Sequence, residues 1–271
     1  MIACMTSNFV STSLGLSVYT REKIETNHTP LIVKRLLPNV KLVADGTYHY
    51  CQKSSAFDIQ KQTYFMHKHN NLLKTLVYTA PDGTFVEIFG PFLADGKHND
   101  EALHNYVLEM EESPLLKHLD QNEDELLLDR GFIRCKDILK FHTPKSIQKG
   151  SYQLSTKDAN LTRVVTRCRN VVERSFGRLK QWGILDNTLD NSYVPVLGDL
   201  IRILVSILNR YFTPLFEDAE EARCDAEMFL ENVDKRNELK EILNTTNLRW
   251  NLKIAKSDVI QQFPDCSRPY L

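Results

Sequence analysis

Two short apolar runs, each ending in an aspartate, constrain this sequence more than any other feature. The first is Lys41-Leu-Val-Ala-Asp45 and the second is Glu125-Leu-Leu-Leu-Asp129. Apolar runs of this length predict buried strands. Groups at strand ends in an α/β sheet project into the crevice where ligands bind, so Asp45 and Asp129 are expected to converge. The alternative, that each aspartate caps the turn after its strand, stays open for either residue alone.

Converging carboxylates repel each other unless a cation lies between them. Mg²⁺ suits such a position because it takes one or two carboxylates together with substrate phosphates and keeps several waters. A zinc site is not expected, since the six cysteines are scattered and none forms a CxxC pair. The two aspartates therefore indicate a site for a divalent cation.

The other segments predict an α/β fold, a mixed sheet flanked by helices. Residues 74–80 and 84–90 are rich in β-branched and aromatic residues and flank a Pro-Asp-Gly turn, which predicts a β-hairpin. Helices are expected over 99–112, 162–182 and about 198–209.

The chain is expected to have three parts. These are a Ser/Thr-rich N-terminal remnant or linker (1–38), a globular domain (40–214) and an acidic, helix-prone tail (215–271). No membrane association is expected, because apolar runs such as 201–208 are short and that one is interrupted by Arg202.

A net charge of −1 conceals a strongly basic segment. Residues 130–182 hold thirteen Lys/Arg and three Asp/Glu, whereas residues 95–129 hold eleven acids and two lysines. Within the helix predicted over 162–182, four arginines fall on one face: Arg163, Arg167, Arg174 and Arg178. Like charges so placed destabilise an isolated helix, which either a polyanion or acids from elsewhere in the chain would relieve.

Glu173 lies on the same helix, beside the apolar stripe that contains Val172. That position allows the carboxylate to point along the end of the sheet. Arg169 stands four residues earlier, so a helical salt bridge is the alternative role for Glu173.

At these residues the sequence resembles PIF/Harbinger DDE transposases, including the Harbinger transposase-derived nucleases of animals. The motifs in their order are Asp45-Gly-Thr-Tyr, Gln52-Lys-Ser, Tyr64-Phe-Met-His-Lys68, Gly90-Pro-Phe-Leu-Ala-Asp-Gly-Lys-His-Asn-Asp100, Asp129-Arg-Gly-Phe132 and Val172-Glu-Arg-Ser-Phe-Gly-Arg-Leu-Lys-Gln-Trp182. The resemblance spans about residues 9–214. It implies an RNase H-like fold and a metal-dependent DNA endonuclease or transposase.

The resemblance also implies the site. Asp45, Asp129 and Glu173 would be the catalytic triad, and Asp100 would be a further ligand of two Mg²⁺ or Mn²⁺ ions, whereas its own sequence context also suits a helix N-cap. Asp95 is expected to be a loop residue. Candidates for DNA phosphate contact, or for ordinary surface charge, are Lys53, His67, Lys68, Lys74 and the four arginines named above.

The resemblance implies that the chain acts on DNA and that a Myb/SANT-like DNA-binding protein assists it. A homo-oligomer and a nuclear location are expected. Without the Myb/SANT-like protein the chain is expected in the cytoplasm. The family usually carries a helix-turn-helix-like region before the first aspartate, and only 44 residues precede Asp45 here. Two alternatives are a catalytically silent DNA-binding or protein-interaction module and another RNase H-like enzyme.

Overall fold

The computed structural model describes residues 2–147 and 153–216, together with single helical positions at 227, 231 and 238. The strands are β1 (Val40–Tyr50), β2 (Tyr64–Phe65), β3 (Asn70–Thr79), β4 (Phe85–Leu93), β5 (Glu125–Leu128) and β6 (Lys140–His142). The helices are α1 (Ile2–Asn8), α2 (Arg21–Asn27), α3 (Leu31–Leu36), α4 (Phe57–Thr63), α5 (Asp100–Glu109), α6 (Pro114–His118), α7 (Thr156–Lys180), α8 (Gly183–Asp186) and α9 (Leu197–Tyr211).

The strands form one mixed sheet with β1 at its centre. On one side β1 pairs antiparallel with β3, which pairs antiparallel with β4 and, at its beginning, with β2. On the other side β1 pairs parallel with β5, and β5 pairs parallel with β6. With helices packed against it, this curled mixed sheet is the RNase H-like fold that the sequence predicted.

Alternation along β1 and β5 sends side chains to two separate hydrophobic clusters. Leu42 and Leu126 belong to the cluster that includes the buried residues of α5, whereas Val43 and Leu127 belong to the cluster formed with α7. Successive strand residues point to opposite faces, so Asp45 and Asp129 share the α7 face with Val43 and Leu127. The same rule directs Gly46 towards α5.

The N-terminal segment is part of the folded domain, which corrects the expectation of a remnant or linker over 1–38. Leu16, Tyr19 and Ile24 are buried against the sheet in the α5 cluster, and Val33 is buried with α7. Each fully buried apolar side chain stabilises the fold by roughly 1.5–3 kcal/mol, an amount that a linker would not contribute.

The described residues include one helical run, Asn191–Tyr211, that is long and apolar enough to cross a membrane. In this fold the run contains α9, whose side chains Ile201, Val205 and Leu208 are buried in the core. The Asn209 side chain also holds β4, accepting from the Phe85 N–H at 3.0 Å and donating to the Phe85 carbonyl at 2.7 Å. This packing accounts for the apolar composition of the run.

The chain divides into two compact units, 1–234 and 235–271. Most of the predicted acidic tail lies outside the described residues, so the helix expected there stays a prediction. The last described continuous segment ends at Phe216. Its backbone is tied to the β3–β4 turn, because Leu215 N donates to Asp82 O at 2.9 Å.

Candidate active site

Asp45 lies inside β1, which corrects the expectation that it ends a strand. The reason is that β1 continues along β3 as far as the pair Tyr50–Leu72, whereas its pairing with β5 stops at Ala44–Leu128. Asp45 is therefore the first residue of β1 beyond its contact with β5. Asp129 directly follows β5, so the two carboxylates meet at one edge of the parallel pair, as the sequence predicted.

Asp100 reaches this edge from the other face of the sheet. It is the first residue of α5, while Asn99 is the N-cap and accepts a hydrogen bond from Ala102 N at 2.7 Å. A Cβ atom on Gly46 would collide with Asp100 Oδ1, and one on Gly131 would lie 3.3 Å from Asp100 Oδ2. The glycine that follows Asp45 thus opens the space that Asp100 occupies.

Lys74 is the counter-ion of Asp100, which corrects the expectation that this lysine contacts DNA phosphate. Its side chain is only 2 % exposed, and its Nζ lies 3.0 Å from Asp100 Oδ1. The ammonium donates its hydrogen bond to the His98 carbonyl instead, at 3.2 Å. Asp100 Oδ1 is therefore buried and accepts no hydrogen bond from the described residues.

One guanidinium lies among the remaining three acids. Arg169 donates through Nη1 to Asp45 Oδ2 at 2.9 Å and through Nη2 to Glu173 Oε1 at 2.6 Å. Its Nε lies 3.6 Å from Asp129 Oδ1, which is an ion-pair distance longer than a hydrogen bond. The predicted Arg169–Glu173 helical pair is therefore present, and the same side chain joins all three acids of the predicted triad.

Burial raises the pKa of Asp45 to about 6, from an ordinary value near 3.8. The Arg169 charge and the Gly46 N–H, which donates to Asp45 Oδ1 at 2.8 Å, oppose this rise, whereas the charges of Asp129 and Asp100 add to it. Removal from water disfavours the charged carboxylate more than its neighbours favour it. A cation held directly by the Asp45 oxygens would reverse that balance.

The donor set fits a divalent ion, because all four groups are carboxylates and one buried oxygen accepts no hydrogen bond. Within the described part of the chain, no three His, Cys, Asp or Glu side chains are arranged to hold a metal ion as they stand. Arg169 lies between the acids instead. An ion that used these carboxylates would compete with its contacts.

The predicted basic face of α7 divides into two pairs. Arg163 and Arg167 line an open cleft of about 480 Å³ that extends to Glu173. Arg174 and Arg178 instead hold the segment after α9. The Arg174 guanidinium lies 5.7 Å from the centre of the Phe216 ring, and Arg178 Nη1 donates to the Thr213 carbonyl at 2.5 Å.

A larger groove, of about 820 Å³, opens beside Asp100 and is lined by Tyr48, Phe65, His67 and Lys74, among others. Lys68 stands near it, with its Nζ 4.5 Å from the centre of the Tyr48 ring.

Lys53 is exposed in the loop after β1. Asp95 lies in a loop, as expected, where it accepts hydrogen bonds from Lys97 N and His98 N.

A sequence profile described as DDE superfamily endonuclease matches residues 44–209, more than half of the chain. The chain belongs to the DDE superfamily endonucleases. The matched range begins one residue before Asp45 and contains Asp100, Asp129 and Glu173. Neither a curated protein nor a solved structure matches the chain. Membership identifies a nuclease domain of the transposase type, a class that acts on DNA and generally uses divalent metal ions.

Proposed function

We propose that this domain is the catalytic core of a divalent-metal-dependent DNA endonuclease or transposase of the PIF/Harbinger type. The observation that carries the proposal is the convergence of four acids from four separate elements. Asp45 comes from β1, Asp100 from the start of α5, Asp129 from the end of β5 and Glu173 from α7. A cluster of this kind is costly without a cation, so a function in binding one accounts for it.

In this proposal Asp45, Asp129 and Glu173 hold two Mg²⁺ or Mn²⁺ ions with help from Asp100. When bound, such ions activate the attacking water or DNA 3′-hydroxyl and stabilise the leaving oxygen of the scissile phosphate. The protein's own contribution is to orient the carboxylates. Burial of Asp45 within β1 and the close approach of Asp100 to Gly46 fix two of them on rigid elements.

DNA would approach along α7, where the cleft lined by Arg163 and Arg167 leads to Glu173. Lys53 and Lys68 would contact phosphates on the side of the larger groove. Such contacts supply affinity without sequence choice, which suits a cutting domain that a partner directs. Arg174 and Arg178 are left out of these contacts, because they hold residues 213–216.

The resemblance to PIF/Harbinger proteins extends the proposal to partners. A Myb/SANT-like DNA-binding protein would supply target recognition and nuclear entry, and the nuclease would act in the nucleus as a homo-oligomer. Expression of the tagged chain with and without such a partner tests this part, since nuclear accumulation should require the partner. A nuclear signal of equal strength without it would contradict this role.

Plasmid nicking tests the catalytic proposal. Purified protein with Mn²⁺ or Mg²⁺ should nick supercoiled plasmid, and the conservative variants Asp129→Asn and Glu173→Gln should lose this activity by at least ~100-fold. Asp95→Asn is the matched control from the loop before Asp100 and should cleave normally. Activity that persists in EDTA, or in either acid variant, would refute the proposal.

A second candidate function is a catalytically silent DNA-binding module, which the position of Arg169 among the acids favours. It predicts DNA binding without nicking in any metal, even when a Myb-like partner is supplied. A third, an RNase H-like enzyme with another substrate, predicts faster cleavage of an RNA–DNA hybrid than of duplex DNA. The same assay with both substrates separates the three.

A further inference from the structure

Arg169 has no role in the proposed metal chemistry, yet it directly contacts three of the four acids of the candidate site. Its side chain is 12 % exposed and lies within 3.6 Å of three carboxylates that come from β1, the end of β5 and α7. Its Nε makes no hydrogen bond with the described residues. The guanidinium is therefore held by the charges of three carboxylates, while its Nε–H is left without a hydrogen bond to any of them.

The guanidinium of Arg169 would compete with a metal ion for the same carboxylates. Nη1 lies 2.9 Å from Asp45 Oδ2, the oxygen on the α7 side of that carboxylate. Mg²⁺ binds carboxylate oxygens at about 2.0–2.1 Å and also requires waters or phosphate oxygens around it. The guanidinium takes up lone pairs of Asp45 Oδ2 and Glu173 Oε1 and places a positive charge beside the position of an ion, so it opposes metal binding there.

We propose that Arg169 is a positioning residue that occupies the acid cluster before metal binds and that a divalent ion displaces. The inference rests on the proposed metal-dependent function. In the metal-free protein the guanidinium offsets the repulsion among Asp45, Asp129 and Glu173 and keeps them aimed at one point. Metal binding then breaks the contacts to Asp45 and Glu173, and the ion takes over as their counter-charge. Arg169 thus opposes metal affinity while it prepares the site for metal.

Calorimetric titration of Mn²⁺ into metal-free protein tests the competition. Arg169→Gln should bind Mn²⁺ roughly 10- to 100-fold more tightly than the natural sequence, the range that one or two charge-assisted hydrogen bonds account for. In EDTA the same variant should melt at a lower temperature, and saturating Mn²⁺ should restore most of the loss. An arginine with a merely structural role would lower the melting temperature equally with and without metal.

Lys157→Gln is the matched control, because it removes a positive charge from an exposed position of α7 that the proposals do not use. Its Mn²⁺ affinity should stay within about 2-fold of the natural sequence, since exposed charges at a distance are screened. An equal gain of affinity in Lys157→Gln would reduce the effect to general electrostatics and overturn the proposal. Unchanged or weaker Mn²⁺ binding by Arg169→Gln would overturn it as well.

A measurement on the natural sequence avoids any folding defect of the variant. In ¹H–¹⁵N spectra the Arg169 Nε–H signal, identified by its loss in Arg169→Lys, should shift during a Mg²⁺ titration and saturate with the calorimetric affinity. A signal unchanged at saturating Mg²⁺ would overturn the displacement. If the natural sequence shows no saturable metal binding, the proposed function fails together with this inference. Metal binding with an unmoved Arg169 refutes this inference alone and leaves the proposed function intact.

Discussion

Arg169 Nη1 and Asp45 Oδ2 lie 2.9 Å apart, joining helix α7 to the central strand across 124 residues of sequence. The contact places a cation against the most buried acid of the predicted triad, whose side chain is 18 % exposed. It also holds the face of α7 that carries Glu173 at the edge of the sheet where the pairing of β1 with β5 ends.

Gly46→Ala should damage the site without unfolding the domain. The new Cβ would collide with Asp100 Oδ1, so this carboxylate has to move away from Asp45 and Asp129. We expect Mn²⁺ affinity to fall at least ~10-fold, in line with the loss of a well-oriented ligand. Calorimetry measures the affinity and circular dichroism checks the fold.

Gly96→Ala is the control for that substitution, since a Cβ there meets no atom within 4 Å. It should bind Mn²⁺ as the natural sequence does. Equal affinities for the Gly46 and Gly96 variants would show that Asp100 does not need its present position, and would remove it from the proposed ligand set.

Asp45→Asn should stabilise the metal-free protein above pH 6. Burial raises the folded-state pKa of Asp45 to about 6, so the folded chain binds this proton more tightly than the unfolded chain does. The stability of the natural sequence therefore declines as pH rises from about 4 to about 6, and Asn has no proton to lose. The variant should gain roughly 2–3 kcal/mol in unfolding free energy at pH 7.5, at most.

Urea unfolding in EDTA at several pH values measures this difference. The gain should vanish at about pH 3, where Asp45 is protonated in both states. It should reverse in saturating Mn²⁺ because the natural sequence then gains a bound ion. A gain that does not depend on pH would mean that side-chain packing, and not the charge of Asp45, is responsible.

The paired variant Arg163→Gln/Arg167→Gln should weaken duplex DNA binding and its salt dependence. Each lost phosphate contact should reduce the slope of log K against log salt by about 0.9, so the pair should reduce it by roughly 1.8. Fluorescence anisotropy with a labelled duplex in EDTA, at several salt concentrations, measures the slope without cleavage.

Arg174→Gln/Arg178→Gln removes the same two charges from the same helix and is the matched comparison. Because these arginines contact Phe216 and Thr213, their loss should lower the melting temperature and change the slope by less than one. An equal reduction of the slope in both double variants would restore all four arginines as phosphate contacts.

The sequence predicted much of the sheet because its central strands contain continuous apolar runs. The runs that end in Asp45 and Asp129 and the hairpin around Pro81 are all present. Strand β6 was not predicted, since three residues with the pattern Lys-Phe-His carry no readable periodicity. The sequence predicted a linker at the N-terminus because Ser and Thr are abundant there and the few apolar residues that become buried follow no regular spacing.

The acids of the candidate site could be proposed from the sequence, but the contacts that join them to other residues could not. The four acids could be selected from strand patterns and motifs, and the Arg169–Glu173 pair from helical spacing. The contacts of Arg169 with Asp45 and of Lys74 with Asp100 could not, because they join residues that only the sheet and the packing of α7 bring together. The one local signal was the glycine after Asp45, where a side chain would collide with Asp100.

Anomalous diffraction from crystals grown with Mn²⁺ tests the central claim most directly. We predict anomalous density between the carboxylates of Asp45 and Asp129, with Asp100 or Glu173 as a further ligand and the Arg169 guanidinium moved off Asp45. Density confined to other parts of the surface, with Arg169 still bonded to Asp45 at saturating Mn²⁺, would contradict the claim that these acids form the metal centre of a nuclease.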